Sequence, residues 1–190
     1  MSDPTDPAAL RYAAADQPAI GDGSWAGGPV AVEGFYRWIV ADLGRMPALT
    51  VHEAGFGHYG SGYASFVAVL VTRRDGSARR SQDGWTHVEG LPLALCRLAP
   101  LAAIFHPAVH SSGPSGAGSR DFPVLDRVAA AAPEGWGQEF RQVAAVLERH
   151  DITLLDPATL GRPLPAGLQV ETFLGNPPYT VFDAWFHWTD

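Results

Sequence analysis

Residues 63–72, Tyr-Ala-Ser-Phe-Val-Ala-Val-Leu-Val-Thr, are almost continuously apolar and rich in β-branched and aromatic side chains. The run is far short of the roughly 20 residues that a membrane helix needs. Its Val and Phe content favours a strand. Arg74-Asp75-Gly76-Ser77 follows with the Asp-Gly signature of a hairpin turn. Residues 78–82 are therefore expected to return antiparallel. That hairpin would set Arg73 opposite Arg80 and Arg74 opposite Arg79, making its tip a basic island. Asp83-Gly84 offers a second turn, with residues 85–88 as a third short strand. Upstream, Leu49, Val51 and Glu53 alternate with Thr50 and His52, which predicts another strand before the glycine-rich connection at 55–62.

Helical spacing occurs twice over longer stretches. Val32, Phe35, Ile39 and Leu43 recur every three or four residues, with Gly44 as a stop and Pro47 barring continuation. Trp136, Phe140, Val143 and Leu147 mark a second amphipathic helix, with Glu139, Arg141, Glu148 and Arg149 expected outside. Pro92 suits a first helical turn, so residues 93–99 read as a short helix. Residues 101–105 fit a strand or a buried helical turn equally well. Phe122, Leu125 and Val128 suggest one more short helix. Residues 152–155 read as a strand, and Asp156 as the cap of a turn that begins at Pro157. Residues 168–174 and 180–188 read as extended. The expected architecture is α+β: a single domain with a largely antiparallel sheet and two or three helices packed on it. Residues 1–29, rich in Pro, Asp, Ala and Gly, read as a loosely ordered arm to a domain at 30–190. Residues 111–119, mostly Ser and Gly, read as a flexible loop.

Composition narrows the chemistry. With 190 residues, one domain is the default. All 13 basic residues are Arg, which excludes Schiff bases and lysine phosphate grips. One cysteine, Cys96, excludes an internal disulfide and a multi-cysteine zinc site. A net charge of −7 opposes broad binding to nucleic acid or anionic lipid. No signal peptide is recognised and the longest apolar runs, 64–71 and 98–105, are too short to span a bilayer. A cytoplasmic location without membrane contact is expected.

No motif assembles a catalytic set. Cys96 sits in an apolar segment, the setting of an inert thiol. Gly60-Ser61-Gly62 lacks the strand–turn–helix context of a nucleophile elbow, even with His58 nearby. Seven histidines invite a metal reading. His106 and His110 are four apart, but Pro107 lies between them and no Glu accompanies His106. A metal-assisted hydrolase would use His52, Glu53, His58 and His87, which requires separate strands to converge.

The last ten residues are the densest in aromatics: Val181-Phe182-Asp183-Ala184-Trp185-Phe186-His187-Trp188-Thr189-Asp190. Read as a strand, they place Trp185 and His187 on the face opposite Phe182, Phe186 and Trp188, free for a partner. This ending resembles the FDALFYWED-type ending of small bacterial proteins similar to immunity proteins of polymorphic-toxin systems. Leu154-Leu155-Asp156 and Pro163-Leu164-Pro165 fit the same pattern, and Trp185 and His187 stand where that pattern has Leu and Tyr. The resemblance covers about a quarter of the chain and brings no catalytic residues with it. It implies a non-enzymatic bacterial protein-binding module, an immunity protein whose partner is another protein, a basic toxin, and which needs no cofactor. The partner surface expected is Glu53, Asp83, Trp85, Glu89, Trp185 and His187, acidic groups beside aromatic anchors. The alternatives are the hydrolase above and a structural subunit of a larger assembly.

Overall fold

The computed structural model describes residues 3–19, 23–57, 62–114, 118–119 and 123–189. The helices are α1 (Pro7–Ala14), α2 (Gly23–Ala26), α3 (Gly28–Arg45), α4 (Gly137–Arg149), α5 (Pro157–Leu160) and α6 (Val181–Trp185). The strands are β1 (Leu49–Gly55), β2 (Tyr63–Ala64), β3 (Phe66–Arg73), β4 (Arg79–Gln82), β5 (Trp85–Cys96), β6 (Leu101–Ile104), β7 (Ala108–Ser112), β8 (Gly118–Ser119), β9 (Thr153–Leu154) and β10 (Trp188–Thr189). The fold is α+β with a mostly antiparallel sheet.

The spine is β5. Its second half, from Leu91 onward, pairs β3 on one flank and β6 on the other. Its first half pairs β4 and β7 on the same two flanks. β1 extends the second half beyond β3, and β9 extends it beyond β6 in a parallel pairing. Alternate residues of β3 serve two cores. Val67, Val69 and Val71 face α3 and α4, joined by Leu91, Leu93, Leu95 and Ile104. Phe66 faces the other way with Ala94, Cys96 and Phe105, against α1, α5 and α6. Covering both faces explains why β3 lacks the polar alternation of a half-exposed strand.

α3 and α4 follow the predicted stripes. Val32, Tyr36, Ile39 and Leu43 of α3 are buried, and so are Val143, Val146 and Leu147 of α4. Residues 101–105, left open between two readings, form β6. Asp156 caps α5 by accepting from the Thr159 amide at 2.7 Å.

Several expectations are corrected. Residues 93–99 are not a helix: β5 runs through to Cys96, because Leu91, Leu93 and Leu95 are buried on one face and Ala94 and Cys96 on the other. Pro92 sits opposite Leu70, and its carbonyl accepts from the Phe105 amide at 2.9 Å. The Asp75-Gly76 turn does not reverse the chain. Asp75 accepts from the Ser77 amide and hydroxyl within the turn, and β4 continues in the direction of β3. Reversal comes at Asp83-Gly84, whose φ angles of 51° and 78° suit the tight turn of a two-residue hairpin. Arg73 and Arg74 therefore do not face Arg80 and Arg79. Arg73 stacks on Trp136 and lies 3.5 Å from Glu139, while Arg74 donates to the carbonyls of Gly44 and Met46 at the end of α3. Glu139, expected outside, is buried against that arginine.

Described residues of the 1–29 arm fold onto the body. Asp6 caps α1 and Pro7 occupies its first turn, while Leu10 and Ala13 are buried in the core with α6. Trp25 is buried against Tyr36 and donates to the Arg97 carbonyl at 3.0 Å. An Ala-rich segment of this length is marginal as a helix alone, so docking stabilises it. Of the loop expected at 111–119, Ser111 and Ser112 belong to β7 and residues 118–119 form β8; residues 115–117 lie outside the described residues. Residues 125–127 form a 3₁₀ turn. Phe122 of the short helix expected there lies outside the described residues.

Val181–Trp185 in the C-terminal segment form a helix rather than a strand, and only Trp188–Thr189 are extended, as β10 against β2. Thr180 and Asp183 form a capping box: the Asp183 carboxylate accepts from the Thr180 amide at 2.7 Å and from its hydroxyl at 2.9 Å. Burial of Val181, Phe182, Ala184 and Trp185 then fixes α6 against α1.

Candidate functional site

β4, the first half of β5 and β7 form a three-stranded arm. Opposed residues of an antiparallel ladder project to the same face, so the register assigns both faces. The outer face carries Gln82 and Trp85, the row Arg80–His87–Ser111, and the pair Glu89–Val109. The inner face carries the row Ser81–Thr86–Ser112 and the row Arg79–Val88–His110. Among the described residues no helix packs on the outer face, where Trp85 is 38% exposed and Val109 52%. The Trp85 ring lies over the Gly113 backbone, where an added Cβ would come within 3.0 Å of it. His87 Nδ1 and Ser111 Oγ are 2.8 Å apart on this same face. A hydroxyl beside an imidazole is half of a nucleophilic set, but this pair lies on an open sheet face rather than in a cleft.

Glu53 belongs to the inner side, and a bulge puts it there. The pairing of β1 with β3 slips between Val51 and Glu53, with His52 as the extra residue. Strict alternation would turn Glu53 toward α3 with Leu49 and Val51. The slip instead places it opposite Leu70, on the concave side, where its carboxylate lies 3.6 Å from His110 Nδ1. A β1 residue reaching β7 across β3 and β5 shows how strongly the sheet curls. Gly90 sits at the start of that curl: a Cβ there would lie 2.5 Å from the Val71 carbonyl oxygen. Glu53, His106, His110 and Arg127 rim a cavity of about 40 Å³ floored by Phe66, Ala68, Leu70 and Pro92. Ligand pockets run to roughly 300–1,000 Å³, so this one suits nothing larger than a small side chain or a few waters. Packing around His52, and after it the positive neighbours His110 and Arg79, hold that imidazole below its ordinary value.

The proposed metal set does not come together. His87 is on the outer face, Glu53 is on the inner side, and His58 lies outside the described residues. Among the described residues, no group of three or more His, Cys, Asp or Glu is placed to hold a metal ion.

The partner set divides. Asp83 at the turn and Trp85 and Glu89 on the outer face form one exposed strip. Glu53 is on the other side of the arm. Trp185 and His187 are each 1% exposed, so neither is part of a surface. The Trp185 indole donates to the Pro4 carbonyl at 3.0 Å, and His187 Nε2 meets Asp16 Oδ1 at 2.5 Å. Both residues tie the two ends of the described chain together. Helical geometry, which the strand reading lacked, turns Trp185 inward, and the bend at Phe186 past the end of α6 brings His187 in after it. Val109 and Ser111 join the exposed strip although nothing singled them out. The alternation of Ala108 and His110 with Val109 and Ser111 was the available signal.

Part of the acidic charge is structural too. Asp6, Asp156 and Asp183 cap helices, Glu33 pairs Arg37, and Asp42 is bound by Arg45 and His150. The His150 hydrogen bond, with Arg45 adding to it, holds the Asp42 carboxyl below its ordinary value. Cys96 is buried, and burial pushes its thiol up to about 12, which keeps it unreactive. No helix among the described residues is long and apolar enough to cross a membrane. Comparison with protein-family models, with curated proteins and with solved structures finds no match.

Proposed function

We propose that the protein is a non-enzymatic binding module that captures another protein on the outer face of the arm, and that its partner is a toxin it neutralises. The observation that carries the binding reading is the uncovered strip of Asp83, Trp85, Glu89 and Val109. An indole and a branched aliphatic side chain stand exposed beside two carboxylates on a rigid sheet. Aromatic anchors bordered by charge are the usual energetic centre of an interface. The strip is held in register by the tight turn at one end and by β5 running into the core at the other, so little ordering entropy is lost on binding. The toxin-neutralising part rests on the resemblance of the C-terminal ending. Phe182, Ala184, Trp185 and Phe186 of that ending are buried in the core, so the resemblance does not bear on the contact surface.

The test is direct. The purified chain is titrated by calorimetry with the product of the adjacent gene, and the two are co-expressed to score relief of toxicity. Saturable binding that Trp85→Ala and Val109→Ser weaken together by at least tenfold is expected. Absence of both heat and rescue overturns the reading.

A further inference from the structure

The margin of the arm is a strand edge with backbone groups turned to solvent. Among the described residues β4 pairs β5 alone, and all four of its residues are exposed. The Asp83-Gly84 turn settles which groups point outward. In a two-residue hairpin the residues flanking the turn exchange both hydrogen bonds, and such pairs alternate along the ladder. Gln82 and Arg80 therefore spend their amides and carbonyls on β5. The bond from the Glu89 amide to the Ala78 carbonyl, 2.9 Å, continues that alternation. Arg79 and Ser81 turn away from β5. The Arg79 amide is taken by the Gly76 carbonyl at 3.0 Å. What is left is the Arg79 carbonyl and both backbone groups of Ser81, consecutive attachment points for another strand.

The side chains give the edge a sign. Arg79 projects to the inner face and Arg80 to the outer, so a strand laid along β4 would pass between two guanidinium groups. Neither side chain makes a hydrogen bond or ion pair with a described residue, unlike Arg73 and Arg74. A second copy pairing edge to edge would gather four arginines on two short strands, which like-charge repulsion opposes. Carboxylates on both faces of an incoming strand would meet them instead. We infer that β4 accepts an acidic extended segment of the partner as an added strand, with main-chain bonds to Ser81 and charge pairing to Arg79 and Arg80. This rests on the protein-binding reading above and names the chemistry of what binds.

The probe is a capped octapeptide repeating Glu-Glu-Thr-Thr, whose carboxylates fall on both faces of a strand, titrated into the ¹⁵N-labelled full chain. Saturable movement of the Ser81 amide is expected, with no such movement from a Lys-Thr peptide or from the Glu-Thr peptide N-methylated at alternate residues. The double variant Arg79→Glu, Arg80→Glu should weaken binding at least tenfold. Ser81→Pro removes the outward amide but no bond to β5, and edge positions tolerate proline; it should weaken binding comparably while circular dichroism stays native. A Ser81 amide unmoved at millimolar peptide, or equal binding of the Lys or N-methylated peptides, overturns the inference. Two outcomes separate it from the broader reading. A partner captured equally well by Ser81→Pro leaves the binding module standing and removes the added strand. Peptide binding without any captured toxin does the reverse.

Discussion

Trp185 and Trp85 are both expected on a partner surface, yet one is 1% exposed and the other 38%. The difference lies in the backbone beneath each ring and in what each side chain can meet. Trp185 stands on a capped helix wedged between α1 and the sheet, and its indole finds the Pro4 carbonyl. A buried Trp needs such a partner for its N–H. Trp85 begins a strand whose outer face nothing covers, and its ring lies across a glycine. Density of aromatic residues therefore says little about exposure here. In the C-terminal region the rings join the two ends of the chain to one core; in the arm a single ring and Val109 are left for something outside.

The comparison breaks most severely at Trp185. Trp185→Ala removes a fully buried indole and strands the Pro4 carbonyl, for a loss of about 3–5 kcal/mol. In a chain of this size that is a melting-point drop of about 10–15 °C, read by calorimetry or circular dichroism. Cys96 supplies an independent reading, because its thiol contacts the Trp185 carbonyl at 3.3 Å. In the native protein a thiol reagent at pH 8 should fail to label it; in Trp185→Ala, labelling should become rapid.

Gly90 tests the hinge between core and arm. Gly90→Ala drives a methyl group to within 2.5 Å of the Val71 carbonyl oxygen. Either β3 or β5 must shift, at a cost of about 1–3 kcal/mol. The inner face should register that shift first, so the His110 ring resonances should move further in an NMR spectrum than those of His150. Asp183 tests the helix under Trp185. Asp183→Ala removes both bonds to Thr180 and should cost about 1 kcal/mol, with Asp183→Glu less disruptive than Asp183→Ala. A loss near zero would mean that packing alone holds α6.

Much of the core was readable from residue spacing. Val32 to Leu43 and Trp136 to Leu147 had helical period, and the Val and Phe content of residues 63–72 announced a strand. Errors fell where short-range chemistry admits two answers. Asp75-Gly76 and Asp83-Gly84 carry the same dipeptide, and only pairing with β5 decides which one reverses the chain. Thr180-Val181-Phe182-Asp183 carries a capping-box signature, but the alternating aromatics after it also fit a strand. Asp6-Pro7 likewise announced a helix start in a stretch dismissed for its composition. The site was less legible than the fold. A one-residue bulge at His52 reverses the side on which Glu53 stands, and bulges leave no period to read. Half of the residues expected to meet a partner, Asp83, Trp85 and Glu89, do share one surface, because Trp85 and Glu89 alternate onto one face of β5 directly after the Asp83-Gly84 turn. The mistaken period misplaces Trp185, and the bend at Phe186 that follows α6 misplaces His187.

The smallest effect on stability should come from the residue that matters most to binding. Trp85 is partly exposed, lies across the Gly113 backbone, and is outside both hydrophobic cores. Trp85→Ala should change the unfolding free energy by no more than about 0.5–1 kcal/mol, since little area returns to water. Losing a central aromatic anchor from an interface, by contrast, typically costs about 2 kcal/mol or more of binding energy. The chain should then melt where the wild type does while its partner affinity falls by more than tenfold. The reverse result, a marked loss of stability with binding intact, would make Trp85 a structural residue like Trp185 and erase the contrast between the two regions.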